Sequence, residues 1–158
     1  IGWSGWQMSG FNLDVSPLAV GAAGVIQGIG TGVMWVPLSI VTFASLPASR
    51  LAEGSALFHL LRNFGSSIFI SLSVMTVVRT SKINYSELTE HISPLNKILD
   101  FPSSLGFWNP DTVRGLAAIS SEVGRQSTMI GYSNAFLLYA LICLGAAPFL
   151  LFVRIKSR

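Results

Sequence analysis

Three stretches of this chain carry no Asp, Glu, Lys or Arg: residues 15–49, 63–78 and 126–153. A bilayer hydrocarbon core about 30 Å thick needs about 20 apolar helical residues to cross it. The first and third runs clear that length. The second reaches it when its helix starts upstream, near Leu51 or Glu53, so that the span takes in His59 and Arg62. Only 11% of the residues are charged, against about 25% in a soluble domain. The pattern predicts an all-α membrane chain with three transmembrane helices.

The charge balance excludes other classes. A net charge of +3 invites a nucleic-acid reading. The basic residues instead flank apolar runs and form no patch, so no nucleic-acid partner is expected. Arg154, Lys156 and Arg158 crowd the end of the chain, as in cytoplasmic tails that follow an apolar span. The single cysteine, Cys143, allows no disulfide within the chain, and His59 and His91 lie too far apart for metal-ligand spacing. No nucleophile, base and orienting group cluster together, so no enzyme is expected. The opening IGWSGWQMSGFNLD has no charge before Asp14 and places Trp3 and Trp6 where indole rings favour a membrane interface. It reads as the end of a preceding hydrophobic helix and a short external loop, residues 1–16. The whole is then expected to be the C-terminal part of a larger membrane protein.

The first helix is predicted over residues 17–46, with Ser16 as N-cap, Pro17 at the first helical position and Pro47 ending it. Its length exceeds the bilayer core, which calls for tilt, a kink at Pro37, or protrusion. A short cytoplasmic loop, 47–52, holds Arg50, which is placed to pair weakly with Glu53. The second helix is predicted from Leu51 to Val78, its membrane span over 53–78. Its residues Ser55, His59, Arg62, Ser66 and Ser73 share one face, opposite Leu57, Leu60, Leu61, Phe64, Ile68 and Leu72. A polar stripe of this kind faces protein or a wet cavity rather than lipid. Residues 79–127 read as a polar connection rich in turn residues. Two short amphipathic helices are expected there, at about 85–92 and 111–125, the latter capped by Asp111. The third helix is predicted over 128–153. It is apolar on all sides and suited to face lipid, with a cytoplasmic tail over 154–158.

The stretch GVIQGIGTGVMWVP holds Gly24, Gly28 and Gly32 at a spacing of four, on one helix face. Lipid gives helices no hydrophobic drive to associate, so close backbone approach at small residues does that work. This face predicts tight helix packing, widened by Gly21 and Gly30. Gln27, Met34 and Trp35 on the same helix are candidates for lining a substrate path, with ordinary packing the competing role. Thioether and aromatic groups adapt to varied apolar cargo. Arg62 either gates by pairing with another helix or snorkels to the interface. His59 is a packing residue or a titrating one.

The order of these motifs resembles a known family. GxGxG followed by VPLSIVTFASLPASRLAEGSALFHLLRNFGSSIFISL is similar to the late membrane helices of the major facilitator superfamily, and more narrowly to its EmrB/QacA branch of 14-helix drug/proton antiporters. The residues that carry the likeness are Gly54-Ser55, Leu61-Arg62-Asn63 and Phe64 through Ile68. SELTEHISPLN and GYSNAFLLYAL look like Gram-negative members with a long last extracytoplasmic loop. The resemblance covers nearly the whole chain. Phe69 departs from it, standing where relatives often carry glycine.

The resemblance implies three helices from the C-terminal half of a major facilitator bundle, matching its tenth, eleventh and twelfth core helices. The first would line the central cavity, the second would sit between the two halves, and the third would lie toward lipid. The long extracytoplasmic loop would contain short amphipathic helices. The implied activity is efflux of hydrophobic or amphipathic compounds by alternating access, with the proton gradient as driving force and no cofactor. The implied partners are the N-terminal helices of the same transporter, the lipid bilayer, the small-molecule substrate, a periplasmic adaptor and an outer-membrane channel. The implied location is the inner membrane, multi-pass, with the C-terminus cytoplasmic. No carboxylate lies within the three uncharged runs, so the coupling group is expected outside this chain. The competing reading is a self-standing three-helix subunit or anchor that binds a partner through its glycine face.

Overall fold

The computed structural model describes residues 1–44, 46–92, 108–109 and 111–151. These residues form four α-helices: α1 (Gly2–Ser9), α2 (Pro17–Phe43), α3 (Leu51–Glu90) and α4 (Val113–Leu151), with a single 3-10 turn, Ala48–Arg50, leading into α3. No strand occurs among the described residues. Three of the helices, α2, α3 and α4, are long and apolar enough to cross a membrane.

The start of α2 follows from its capping chemistry. The Ser16 Oγ accepts a hydrogen bond from the Ala19 N–H at 3.2 Å, and Pro17 loses nothing by lacking an N–H at the first helical position. The helix continues through Pro37 and stops at Phe43, three residues short of the predicted end. Leu46 turns back instead. Its side chain lies so near Gly54 that a Cβ there would meet Leu46 Cδ1 at 2.6 Å. The interior hydroxyls are satisfied without water, as lipid demands. Thr31, Ser39 and Thr42 each donate to the carbonyl four residues back, at 2.9, 2.9 and 2.7 Å.

The largest departure from the sequence reading is the length of α3 and α4. α3 has 40 residues and α4 has 39, about 60 Å each at 1.5 Å per residue. That is twice the bilayer core. Residues 79–90 and 113–127, read as parts of a polar connection, are continuous with the membrane helices. The helix expected at 85–92 is the end of α3, and the one expected at 111–125 is the start of α4. Charge ends an apolar run but does not end a helix. Between Gly65 and Pro94 there is no glycine or proline to stop α3. The cap of α4 also differs from expectation. Thr112, not Asp111, accepts from the Gly115 N–H, at 3.1 Å. The Asp111 N–H donates to Asn109 Oδ1 instead, at 2.8 Å. The turn-rich middle at 93–107 and the basic tail at 154–158 lie outside the described residues.

α3 and α4 pair antiparallel. Tyr85 and Ser120 share a hydrogen bond of 2.9 Å between their hydroxyls. Further along, Val77 and Ser81 face Gly131, and further still Phe69 meets Tyr139 with ring centroids 5.8 Å apart. Closest approach is at Gly131, where an added Cβ would touch Ser81 Oγ and would lie 2.8 Å from Val77 O. Ser127, Gly131 and Ala135 repeat at a spacing of four, so α4 presents a small-residue face. Ser127 is buried and turns its hydroxyl onto the Val123 carbonyl. α4 is therefore a packed helix over this stretch, and not one that faces lipid all round.

α1 seals the other side of α4. A Cβ at Gly5 would lie 2.7 Å from Tyr139 Cδ1 and 3.3 Å from Ala140 Cβ. Met8 and Ser4 are buried there, and Ser133 donates to the Phe11 carbonyl at 3.2 Å. Elsewhere the large apolar side chains point outward: Leu57, Leu60, Leu61, Phe64, Ile68 and Leu72 of α3 are all exposed. Apolar surface on this scale needs lipid or further helices to cover it.

The close contact at Gly131 yields a prediction. Gly131→Val forces α3 and α4 apart and destabilises the full-length protein by about 1–3 kcal/mol. Gly145→Ala, which adds a Cβ with nothing within 4 Å, does not lower stability, since alanine is the better helix former. Thermal unfolding in detergent reads both, and a Gly131→Val midpoint equal to wild type refutes the contact.

Candidate functional site

A cavity of about 520 Å³ lies where α2, α3 and α4 meet. α3 contributes Phe69, Ser73, Val74, Val77 and Val78, α4 contributes Tyr132, Ala135, Phe136 and Tyr139, and α2 contributes Gln27. The walls follow from helix periodicity. Phe69, Ser73 and Val77 stand at i, i+4 and i+8 on α3, and Tyr132, Ala135, Phe136 and Tyr139 share one face of α4. The size falls within the range of small-molecule pockets, and such pockets are apolar with a few placed polar groups. Here the polar group is a bridge. Gln27 Nε2 donates to Tyr139 Oη at 3.3 Å, tying α2 to α4 across the cavity. One carboxamide N–H and the Gln27 carbonyl oxygen remain for other partners.

The second constellation lies on α2 and α3, nearer the turn that joins them. The Arg62 guanidinium stands over the Trp35 ring, 4.3 Å from its centroid. Trp35 also meets Phe58 at 6.1 Å, and Phe58 touches Phe43 at 5.5 Å and His59 at 5.6 Å. Among the described residues no acidic side chain pairs with Arg62; the ion pair there is Glu122–Arg125, at 3.0 Å. The expected Arg50–Glu53 pair is not formed. Arg62 lies eleven residues beyond Leu51, about 16 Å along α3. That depth approaches the bilayer midplane if Leu51 marks the core boundary. A cation there costs about 2.5–3.5 kcal/mol, and stacking on a desolvated indole returns about 2. Trp35 offsets part of that cost.

The residues singled out from sequence thus divide. Gln27 is in the cavity wall and Trp35 is under Arg62, whereas Met34 is half exposed and belongs to neither cluster. Ser55, His59, Arg62 and Ser66 keep one side of α3, with His59 edge-on to Phe58. Gly24, Gly28 and Gly32 meet nothing within 4 Å. Gly30 is the glycine of α2 that packs within the chain, against Ile1. Sequence reasoning missed Tyr139, Phe136, Tyr132 and Phe69. Two tyrosines seven residues apart in an otherwise apolar helix were the available signal.

No family model matches the chain, and no solved structure matches it. Several known proteins do. The chain is 28% identical over 146 residues to the multidrug export protein EmrB of Haemophilus influenzae, covering 89% of this chain and 28% of that one. It is 25% identical over 116 residues to the probable multidrug resistance protein EmrY of Escherichia coli, covering 73% and 23%. Over 71 residues it is 31% identical to the multidrug export protein EmrB of Escherichia coli, covering 45% and 14%. The chain spans less than a third of the length of each of these relatives. With three apolar helices of bilayer length, the likeness makes this a multi-pass membrane chain.

The Gln27–Tyr139 bridge is testable by a double-mutant cycle in the full-length protein. Gln27→Leu and Tyr139→Phe should show a coupling of about 0.6 kcal/mol, with roughly 1.7 as ceiling for a bond of this kind in a membrane. Unfolding in detergent measures it, and strictly additive effects would show that the bridge is not made.

Proposed function

Because this chain is a homologue of the EmrB-type multidrug export proteins, we propose that it supplies three of the membrane-crossing helices of a multidrug efflux transporter. The transporter exports hydrophobic or amphipathic compounds by alternating access, driven by inward proton movement. The observation that carries this reading is the match to a multidrug export protein along nearly all of the chain.

The geometry supports it in two ways. The cavity between α2, α3 and α4 is apolar, open and of small-molecule size, with a single polar bridge that orients cargo without demanding one structure of it. The glycine face of α2 meets no partner among the described residues. It is suited to close approach by the remaining helices, against which a rocking bundle would slide. The same vacancy is what an isolated anchor would offer a partner, but the match to transporters favours the first reading.

The carboxylates of these helices, Glu53, Glu87, Glu90 and Glu122, lie outside the uncharged runs, and on this reading the proton site belongs to other helices of the transporter. The chain crosses the inner membrane with its C-terminus in the cytoplasm. The ends of α3 and α4 nearest their connection then rise from the outer face, where a periplasmic adaptor feeding an outer-membrane channel would meet them.

Expression of the full-length protein in a drug-susceptible bacterium should lower accumulation of a hydrophobic dye several-fold. Adding a protonophore should restore accumulation to that of cells without the protein. Equal dye levels with and without the transporter would overturn the efflux reading, and export insensitive to the protonophore would remove proton coupling alone.

A further inference from the structure

Among the described residues Arg62 has no acidic partner, and its position relative to the cavity gives it a use. On α3, Arg62, Ser66, Phe69 and Ser73 stand at i, i+4, i+7 and i+11, on one helix face. Phe69 and Ser73 line the cavity. The cation and the cavity wall therefore share a side of α3, separated by seven residues, about 10 Å along the axis. α2 repeats the arrangement in the opposite direction. Gln27 is in the cavity wall, and Trp35, eight residues on, supports the guanidinium. The two helices thus present an apolar chamber at one level and a positive charge on an aromatic platform about 10 Å below it.

The Arg62 Cζ lies over the Trp35 ring, 4.3 Å from its centroid. A guanidinium carries five N–H donors, more than one ring can engage, so donors remain to receive a planar oxyanion. No acidic side chain of the described residues takes that place. We propose that Arg62, held by Trp35, is a charge-selecting subsite for the carboxylate of anionic amphipathic cargo whose apolar body occupies the cavity. Trp35 is a positioning residue in this arrangement, and Arg62 contacts the cargo. The inference rests on the efflux reading for its transport consequence but not for its binding consequence, and the two are tested apart.

The experiment compares a carboxylated amphipathic dye with its methyl ester, using the purified full-length protein. Binding is measured by calorimetry in detergent, and transport in proteoliposomes made with and without anionic phospholipid. Wild type should bind the acid more tightly than the ester. Arg62→Gln should weaken the acid about tenfold or more, the scale of one charge-assisted hydrogen bond, and change the ester less than twofold. Arg62→Lys should retain part of the preference. Trp35→Leu should lose most of it and Trp35→Phe should keep it, a distinction that simple packing at Trp35 would not make between acid and ester. Transport should follow as a rise in KM for the acid with kcat little changed.

Equal losses for acid and ester in Arg62→Gln would overturn the subsite and assign Arg62 to an ion pair within the transporter. A loss seen only with anionic phospholipid present would overturn it in favour of a lipid headgroup at Arg62. Acid-selective binding that depends on Arg62, in a wild type that exports neither compound, would sink the efflux reading while the subsite stands.

Discussion

With no large apolar side chain buried between them, α3 and α4 are held by backbone proximity at Gly131. In lipid this is the available route, because hydrocarbon gives two apolar helices no reason to leave it for each other. The contact needs a missing side chain on α4 and compact ones on α3, and Gly131, Val77 and Ser81 meet that need. The antiparallel register set there carries along the whole pair. It brings Tyr85 to Ser120 at one end and Phe69 to Tyr139 at the other. The second of these pairings forms a wall of the cavity, and Val77, which meets Gly131, lines it too, so the site is built directly on this contact.

The same solvent governs every polar group. Thr31 and Ser39 of α2 and Ser67 and Thr76 of α3 donate to carbonyls of their own helix, which removes them from lipid without any tertiary partner; the Ser81 hydroxyl, buried against Gly131, has no partner among the described residues. Gln27 and Arg62 have side chains too long and too polar for that solution. Gln27 reaches across to Tyr139, and Arg62 lies over Trp35. These two contacts tie α2 to α4 and α2 to α3, and each is incomplete. The carboxamide keeps unused donor and acceptor capacity, and the guanidinium keeps N–H donors. Incomplete satisfaction in an apolar setting is what a binding site requires, since a fully paired network would have nothing to offer cargo.

The surface divides in the same way. α4 is enclosed by α1 and α3 over its middle, while α2 stands largely apart with its glycine face bare. A transporter that alternates between two arrangements needs some helices firmly docked and others ready to re-dock. The hairpin of α3 and α4 has the close, specific contacts of the first kind. The smooth, small-residue face of α2 has the shallow profile of the second.

The three spans were legible in the sequence because freedom from charge over a bilayer's thickness is a one-dimensional property, readable at 15–49 and 126–153 without any fold. The cap at Ser16 was legible for the same reason, being a bond between neighbours. The extent of α3 and α4 was not, since a helix ends where the backbone is broken, and a change from apolar to charged side chains at Arg79 breaks nothing. Nor could the sequence distinguish which small-residue face is used. Gly24, Gly28 and Gly32 have the same spacing as Ser127, Gly131 and Ala135, yet among the described residues the second set meets a neighbour and the first does not. The register of two helices decides that, and register is a relation between distant residues that no local pattern contains. The cavity likewise exists only after Gln27, Phe69 and Tyr139, far apart along the chain, are brought around one space.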